Sequence, residues 1–109
     1  MPTDAEWTVL KDYVASDGHN GTEGTALKAT SGWDYDGNGT DDYGWNGHPG
    51  GYRRRSGSFD WIGGYGSWWS SSQYVSISAW ERDLYLYYAS VWSYDYNKED
   101  GFSVRCLRD

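Results

Sequence analysis

The stretch Ala79-Trp80-Glu81-Arg82-Asp83-Leu84-Tyr85-Leu86-Tyr87-Tyr88 decides the fold. It is rich in aromatic residues, alternates in period two and is bounded by Ser and Ala turns, which reads as a strand. Side chains on a strand alternate faces, so Trp80, Arg82, Leu84 and Leu86 share one side and Glu81, Asp83, Tyr85 and Tyr87 the other. Ala89-Ser90 makes a short turn, and a second strand follows over 91–96, where Trp92, Tyr94 and Tyr96 alternate with Val91 and Ser93. An antiparallel pair joined by a short turn is the expected product.

Working outward, residues 58–63, 66–71 and 101–107 also read as strands, set apart by Gly, Ser, Asn or Asp. The N-terminal end differs. Thr3 followed by Glu6 forms a capping box, Asp4 complements the helix dipole, and Trp7, Leu10 and Val14 recur at helical spacing. A helix is expected from about residue 4 to about 15, ended by the turn cluster 16–21, with a second helical turn near 25–29. The segment from there to Ser58 is rich in Gly, Asn, Asp and Ser and has little periodicity. A loop that long needs an ordering agent, and Trp33, Tyr43, Trp45 and Tyr52 or a bound cation are the candidates. A helix first and antiparallel strands afterwards gives an α+β class.

The chain has 109 residues, enough for one compact domain. Lys plus Arg number 9 and Asp plus Glu 16, a net charge of −7, which disfavours a nucleic-acid partner because phosphate binding needs a basic footprint. The basic run Arg53-Arg54-Arg55 lies near Asp41, Asp42 and Asp60 and reads as a solvated or internally paired loop. Eight Trp and eleven Tyr in so short a chain exclude disorder and point to a core and a surface that both use aromatic rings. Cys106 stands alone, so no intrachain disulfide forms; its apolar neighbours suggest a buried small hydrophobe. No stretch has the ~20 apolar residues of a membrane span. Met1 leads straight into a helix start, which reads as a mature or excised domain with no membrane insertion of its own.

Several segments together resemble the Fibrobacter succinogenes major paralogous domain. They are Pro2-Thr3-Asp4-Ala5-Glu6-Trp7, Leu27-Lys28, Thr30-Ser31-Gly32-Trp33, Pro49-Gly50-Gly51-Tyr52-Arg53 and Gly57-Ser58-Phe59 with Ile62-Gly63. The likeness continues through Tyr65-Gly66-Ser67-Trp68-Trp69-Ser70-Ser71 and Ala79-Trp80 with Arg82 and Leu84, and ends with 101–109. The resemblance implies a C-type-lectin-like fold and a secreted, cell-surface or viral-particle-surface setting. It brings no catalytic residue set. Because the matching Trp80, Arg82 and Leu84 share one face, that face is assigned to the core.

The opposite face is then the expected ligand site: Glu81, Asp83, Tyr85 and Tyr87, with Trp92, Tyr94 and Tyr96 beside them and Tyr74 in a loop over 73–77. So many exposed aromatics cost solubility unless they are used. The function expected is an extracellular module that binds a protein or glycan ligand. Where the family often carries Asn, this chain has Asp83, Tyr85, Tyr87, Tyr88, Tyr94, Asp95 and Tyr96. That pattern is compatible with adenine-directed mutation by a diversity-generating retroelement. The alternatives are a structural or spacer domain, and a calcium-dependent carbohydrate binder.

Calcium enters through Asp34-Tyr35-Asp36-Gly37-Asn38-Gly39-Thr40-Asp41-Asp42. Asp34, Asp36 and Asn38 occupy the first, third and fifth positions of a calcium loop, Thr40 the seventh and Asp42 the ninth. Trp45 stands where a bidentate Glu belongs, and the family resemblance does not extend to this insert. Enzyme readings are set aside: His19 and His48 lie in loops without triad partners, and no nucleophile elbow is present. Glu81 and Asp83 share a strand face, but a flat sheet offers paired carboxylates no cleft.

Overall fold

The computed structural model describes residues 1–108. Helix α1 covers Asp4–Val14 and continues into a π-helical turn, Ala15–His19, that ends as Gly18 takes φ +98°. Both halves of the capping box form: the Glu6 amide donates to Thr3 Oγ1 at 3.1 Å and the Thr3 amide to Glu6 Oε1 at 3.0 Å. Helix α2 is a short piece, Glu23–Leu27. Strands β1 (Tyr52–Arg53) and β2 (Phe59–Asp60) form a two-residue ladder. The main sheet is antiparallel in the order β3-β4-β5, with β3 over Tyr65–Val75, β4 over Ser78–Tyr85 and β5 over Val91–Asn97. The class is α+β, as expected.

Helix α1 lies on one side of this sheet. Trp7, Val14, Ala26, Leu27, Trp33, Trp68, Leu84 and Leu86 form the buried core, with Trp45 set edge-on between Trp7 (5.9 Å) and Trp68 (4.9 Å). The helix is tied down electrostatically as well. Arg82 of β4, buried, donates to Asp4 Oδ1 at 2.9 Å and to Thr8 Oγ1 at 2.8 Å. A buried guanidinium needs such partners, and Asp4 supplies the opposite charge. The assignment of Arg82, Leu84 and Leu86 to the inner face is borne out; Trp80 on that face is half-buried and packs against Tyr74.

Several sequence-based boundaries move. The expected strand 58–63 shrinks to Phe59–Asp60, because Trp61 turns to φ +64° and Gly63 to φ +86°. Strand β3 runs through the segment expected to be a loop, and only Ser76-Ile77 make the turn into β4. β4 stops at Tyr85, so residues 86–90 form a longer connection than Ala89-Ser90. Residues 101–107 make only isolated bridges, Arg53 with Gly101 and Trp68 with Ser103. Cys106 therefore lies outside any strand and is exposed, not buried. From this tail it is Arg105 that turns inward, its guanidinium 4.0 Å from the Trp45 ring centre.

The long middle segment is ordered by backbone hydrogen bonds onto α2 and its flank. Thr40 donates to Thr25 O, Asp42 to Ala26 O and Ala29 to Gly47 O, each at 2.9 Å. Trp33 is buried and its indole donates to Gly47 O at 3.0 Å, so the aromatic-anchor expectation holds for Trp33. No helix among the described residues is long and apolar enough to cross a membrane.

Candidate functional site

The register of the main sheet decides which side chains meet on the face away from α1. Tyr65 pairs with Tyr85, Ser67 with Asp83 and Trp69 with Glu81 across β3 and β4; Asp83 pairs with Trp92 and Glu81 with Tyr94 across β4 and β5. Residues directly opposite on antiparallel strands share a face. The outer face thus carries two carboxyl groups in its central strand and aromatic rings on both sides.

Those rings form a closed circuit. Tyr65 stacks on Tyr85 at 4.4 Å; Tyr85 meets Tyr88 at 5.3 Å, Tyr88 meets Trp92 at 5.6 Å, and Trp92 stacks on Tyr94 at 6.3 Å. Tyr94 meets Tyr96 at 6.3 Å, Tyr96 meets Phe102 at 5.4 Å, Phe102 meets Tyr52 at 5.9 Å, and Tyr52 returns to Tyr65 at 6.2 Å. Asp83 lines the hollows on both sides within this circuit. One, about 400 Å³, is bounded by Tyr52, Trp61, Tyr65 and Phe102 with Arg54 and Arg55 at its edge. The other, about 180 Å³, is bounded by Tyr85, Tyr88, Trp92, Tyr94 and Tyr96. The face is not flat, which corrects the geometric ground on which paired-carboxylate chemistry was set aside.

The two carboxyl groups are the larger correction. Glu81 is 0% exposed and Asp83 5%, whereas both were expected in solvent. Alternation places them on the outer face, as read, but the aromatic neighbours cover them. Phe102 reaches from Trp69 on β3 (4.5 Å) to Tyr96 on β5 (5.4 Å) and so roofs β4 at Glu81. Burial, then a hydrogen bond with Asp83 and repulsion from it, push the Glu81 carboxyl up to about 11. Asp83 is also raised, by burial, and the bond from Glu81 works against that rise. Ionised, Glu81 would have the Tyr94 backbone amide and the neighbouring Arg82 charge in its favour, and neither outweighs its burial. Protonated, it becomes the donor and Asp83 the acceptor. Burial favours the neutral form of both acids, so the pair favours keeping a shared proton, and Asp83 is the member that lines the hollows. Burial also holds the Tyr65 and Tyr96 phenols neutral, each raised to about 12.

The connection 86–90 carries one of the rings, Tyr88, and is anchored from beneath by a residue that sequence reasoning missed. Lys28 is buried, and its Nζ donates to Tyr85 O at 2.6 Å and Tyr88 O at 2.9 Å. Burial lowers its ammonium to about 8. Gly24 lies so close that a Cβ there would come within 2.5 Å of Ser90 O, and Thr25 donates to Ala89 O at 3.1 Å. Only the quoted pair Leu27-Lys28 hinted at this role, because a lysine gives no sign in sequence of being buried.

Of the residues expected at the site, the structure brings together Asp83, Tyr85, Trp92, Tyr94 and Tyr96. Tyr87 stands at the margin, 5.4 Å from Tyr85, and is exposed. Tyr74 does not join them: it packs on Trp80, whose side chain belongs to the helix-facing side. Tyr52, Tyr65, Tyr88 and Phe102 complete the circuit and were not foreseen there, since they come from distant segments.

The acidic loop lies beside this face, and Tyr35 stacks on Tyr87 at 6.4 Å. Three of its polar side chains are engaged elsewhere in the fold. Asn38 Oδ1 accepts from the Trp33 amide at 3.0 Å, the Thr40 hydroxyl donates to Thr25 O at 3.3 Å, and Asp42 lies 3.3 Å from His19 Nε2. Asp34 packs against Gly63, and Asp36 is exposed at φ +61°. No group of three or more His, Cys, Asp or Glu residues suited to a metal ion occurs among the described residues.

Fold and site together define a small α+β domain with an acidic, aromatic-ringed face on its main sheet. The chain belongs to the Fibrobacter succinogenes major domain family, whose model matches residues 1–108. No curated protein matches it. No solved structure matches it either.

Proposed function

We propose that this domain is an extracellular or cell-surface ligand-binding module of C-type-lectin-like architecture, and that the aromatic circuit around Asp83 is its binding face. One observation carries the reading: Tyr87, Tyr88, Trp92, Tyr94 and Tyr96 are 38 to 62% exposed and contiguous with a recessed carboxylate. Contiguous exposed aromatics around a polar group are the anatomy of a binding hot spot. Support for the lectin-like architecture is the order of elements: one leading helix, a long loop-rich middle and a terminal antiparallel sheet. Binding is favoured over catalysis because Glu81 is sealed from the hollows, so a substrate meets only one of the two carboxyl groups.

Diversification of this face belongs to the same proposal. Of the positions that differ from the family's usual Asn, Tyr87, Tyr88, Tyr94, Asp95 and Tyr96 are exposed; Asp83 is buried. Sister chains should therefore vary at the exposed positions and keep Asp83. Glycan and protein arrays probed with the wild type and with Trp92→Ala/Tyr94→Ala test the function directly. Ligand signals that the double variant loses, at unchanged melting temperature, are expected. Signals identical for the two proteins would overturn the assignment of the face.

A further inference from the structure

The two hollows share Asp83 but differ in charge. The larger already has its own cations: Arg54 is bonded to Asp60 at 2.6 Å and lies 5.7 Å from the Tyr52 ring centre, and Arg55 is at the same edge. The smaller, about 180 Å³, has no basic residue in its lining. Its lining is aromatic rings set at angles to one another, 54° between Tyr85 and Tyr88 and 52° between Tyr88 and Trp92. Asp83 completes the lining and is buried.

A box of aromatic faces over a carboxylate is complementary to one chemistry. The ring quadrupoles present negative faces, and an organic cation is drawn to them most strongly where water is excluded. A hydrated metal ion would lose its water without gaining oxygen ligands, since Asp83 is the lone carboxylate of the lining. The volume lies below the ~300 Å³ at which drug-sized sites begin, which suits a head group and not a whole ligand. The chain's net charge of −7 draws cations toward the surface generally.

We propose that the hollow between β4 and β5 binds an alkylated ammonium group, with Asp83 as counter-ion and Tyr85, Tyr88, Trp92 and Tyr94 as the cage. This rests on the reading of the same face as a binding site and names the chemistry it accepts. Trp92, part of the cage, supplies a fluorescence signal. The ammonium could come from a choline-type head group or from a methylated lysine side chain.

The test compares choline with its neutral isostere 3,3-dimethyl-1-butanol, and both with a trimethyl-lysine peptide, by calorimetry and by tryptophan fluorescence on the full chain. Choline should bind about tenfold or more tightly than the isostere, a difference of about 1.4 kcal/mol. Asp83→Asn should abolish that preference, and Trp92→Leu, at an exposed wall, should weaken choline binding even if the Asp83 variant fails to fold. A peptide that binds better than choline assigns the source to protein; the reverse assigns it to small molecules or lipid head groups. Equal binding of the isostere, or no choline binding, would overturn the cation assignment. If choline fails while a glycan or protein still binds in a Trp92-dependent way, the binding-face reading survives; if nothing does, both fall.

Discussion

The two sides of β4 both bury charge, and they handle it in opposite ways. On the helix side, Arg82 meets Asp4, Thr8 and a helix carbonyl, so its charge is matched and the helix is fixed to the sheet. On the outer side, Glu81 is buried beside a second acid, and burial outweighs the Tyr94 amide and the Arg82 charge, so it keeps its proton. The first arrangement stabilises the fold. The second costs stability at neutral pH and sets two acids beneath exposed rings. A cost tolerated on one face and not on the other supports the binding role proposed for that face.

The largest effect expected from breaking this contrast is at Asp4. Asp4→Ala leaves a buried guanidinium without its counter-charge, and denaturant unfolding should show a loss of about 2 to 3 kcal/mol, reduced from the fully buried case because Asp4 is part-exposed and Thr8 remains. The outer face should respond with the reverse sign. Glu81 holds a proton in the folded state that it releases when unfolded, so its contribution is full below about pH 4.5 and declines as pH rises through the neutral range toward about 11. Stability should therefore rise on acidification from pH 7 to 5. Glu81→Gln keeps the shape and a donor to Asp83, and should flatten that slope and stabilise the protein at pH 7 by about 1 to 3 kcal/mol. A variant with an unchanged slope would refute the protonated pair.

A smaller effect is expected at Lys28. Lys28→Met leaves Tyr88 O without its lysine donor and Tyr85 O with only the Tyr88 amide at 3.1 Å, and should cost about 1 to 2 kcal/mol, partly offset by relief of its buried charge. Hydrogen exchange should quicken in residues 86–91 while α1 is unaffected; uniform quickening would contradict a local anchor. The smallest response concerns calcium. With the Asn38 and Asp42 side chains engaged elsewhere, adding the ion should leave the melting temperature unchanged. A rise that Asp36→Ala abolishes would assign calcium to this loop.

How far the sequence could be read follows from the same contrast. The capping box, the helix over Trp7 and Val14, and the inner face of β4 rest on local chemistry and period, and they stand in the structure. Glu81 and Asp83 are buried on a face whose aromatic circuit is closed by Phe102 and Tyr52, which arrive from the tail and from the Gly-rich middle, and no local pattern announces that. Strand alternation gave the correct side for Asp83, Tyr85, Trp92, Tyr94 and Tyr96. Tyr74 was expected in a loop over 73–77, but it lies in β3, where register shifts between Trp69 and Gln73 and again before Val75 interrupt the regular pairing. Cys106 was misread because an apolar alternation makes a strand only where a neighbour pairs with it, and beyond Ser103 none does.

The most direct test of the binding face is amide and indole chemical-shift mapping on isotope-labelled protein titrated with choline and with any array-positive glycan or protein. The resonances that move should belong to Asp83, Tyr85, Tyr88, Trp92 and Tyr94, with the Trp92 indole among the largest shifts and the α1 amides still. Shifts centred on α1, or on the acidic loop at residues 34–42, would place binding elsewhere and contradict the account.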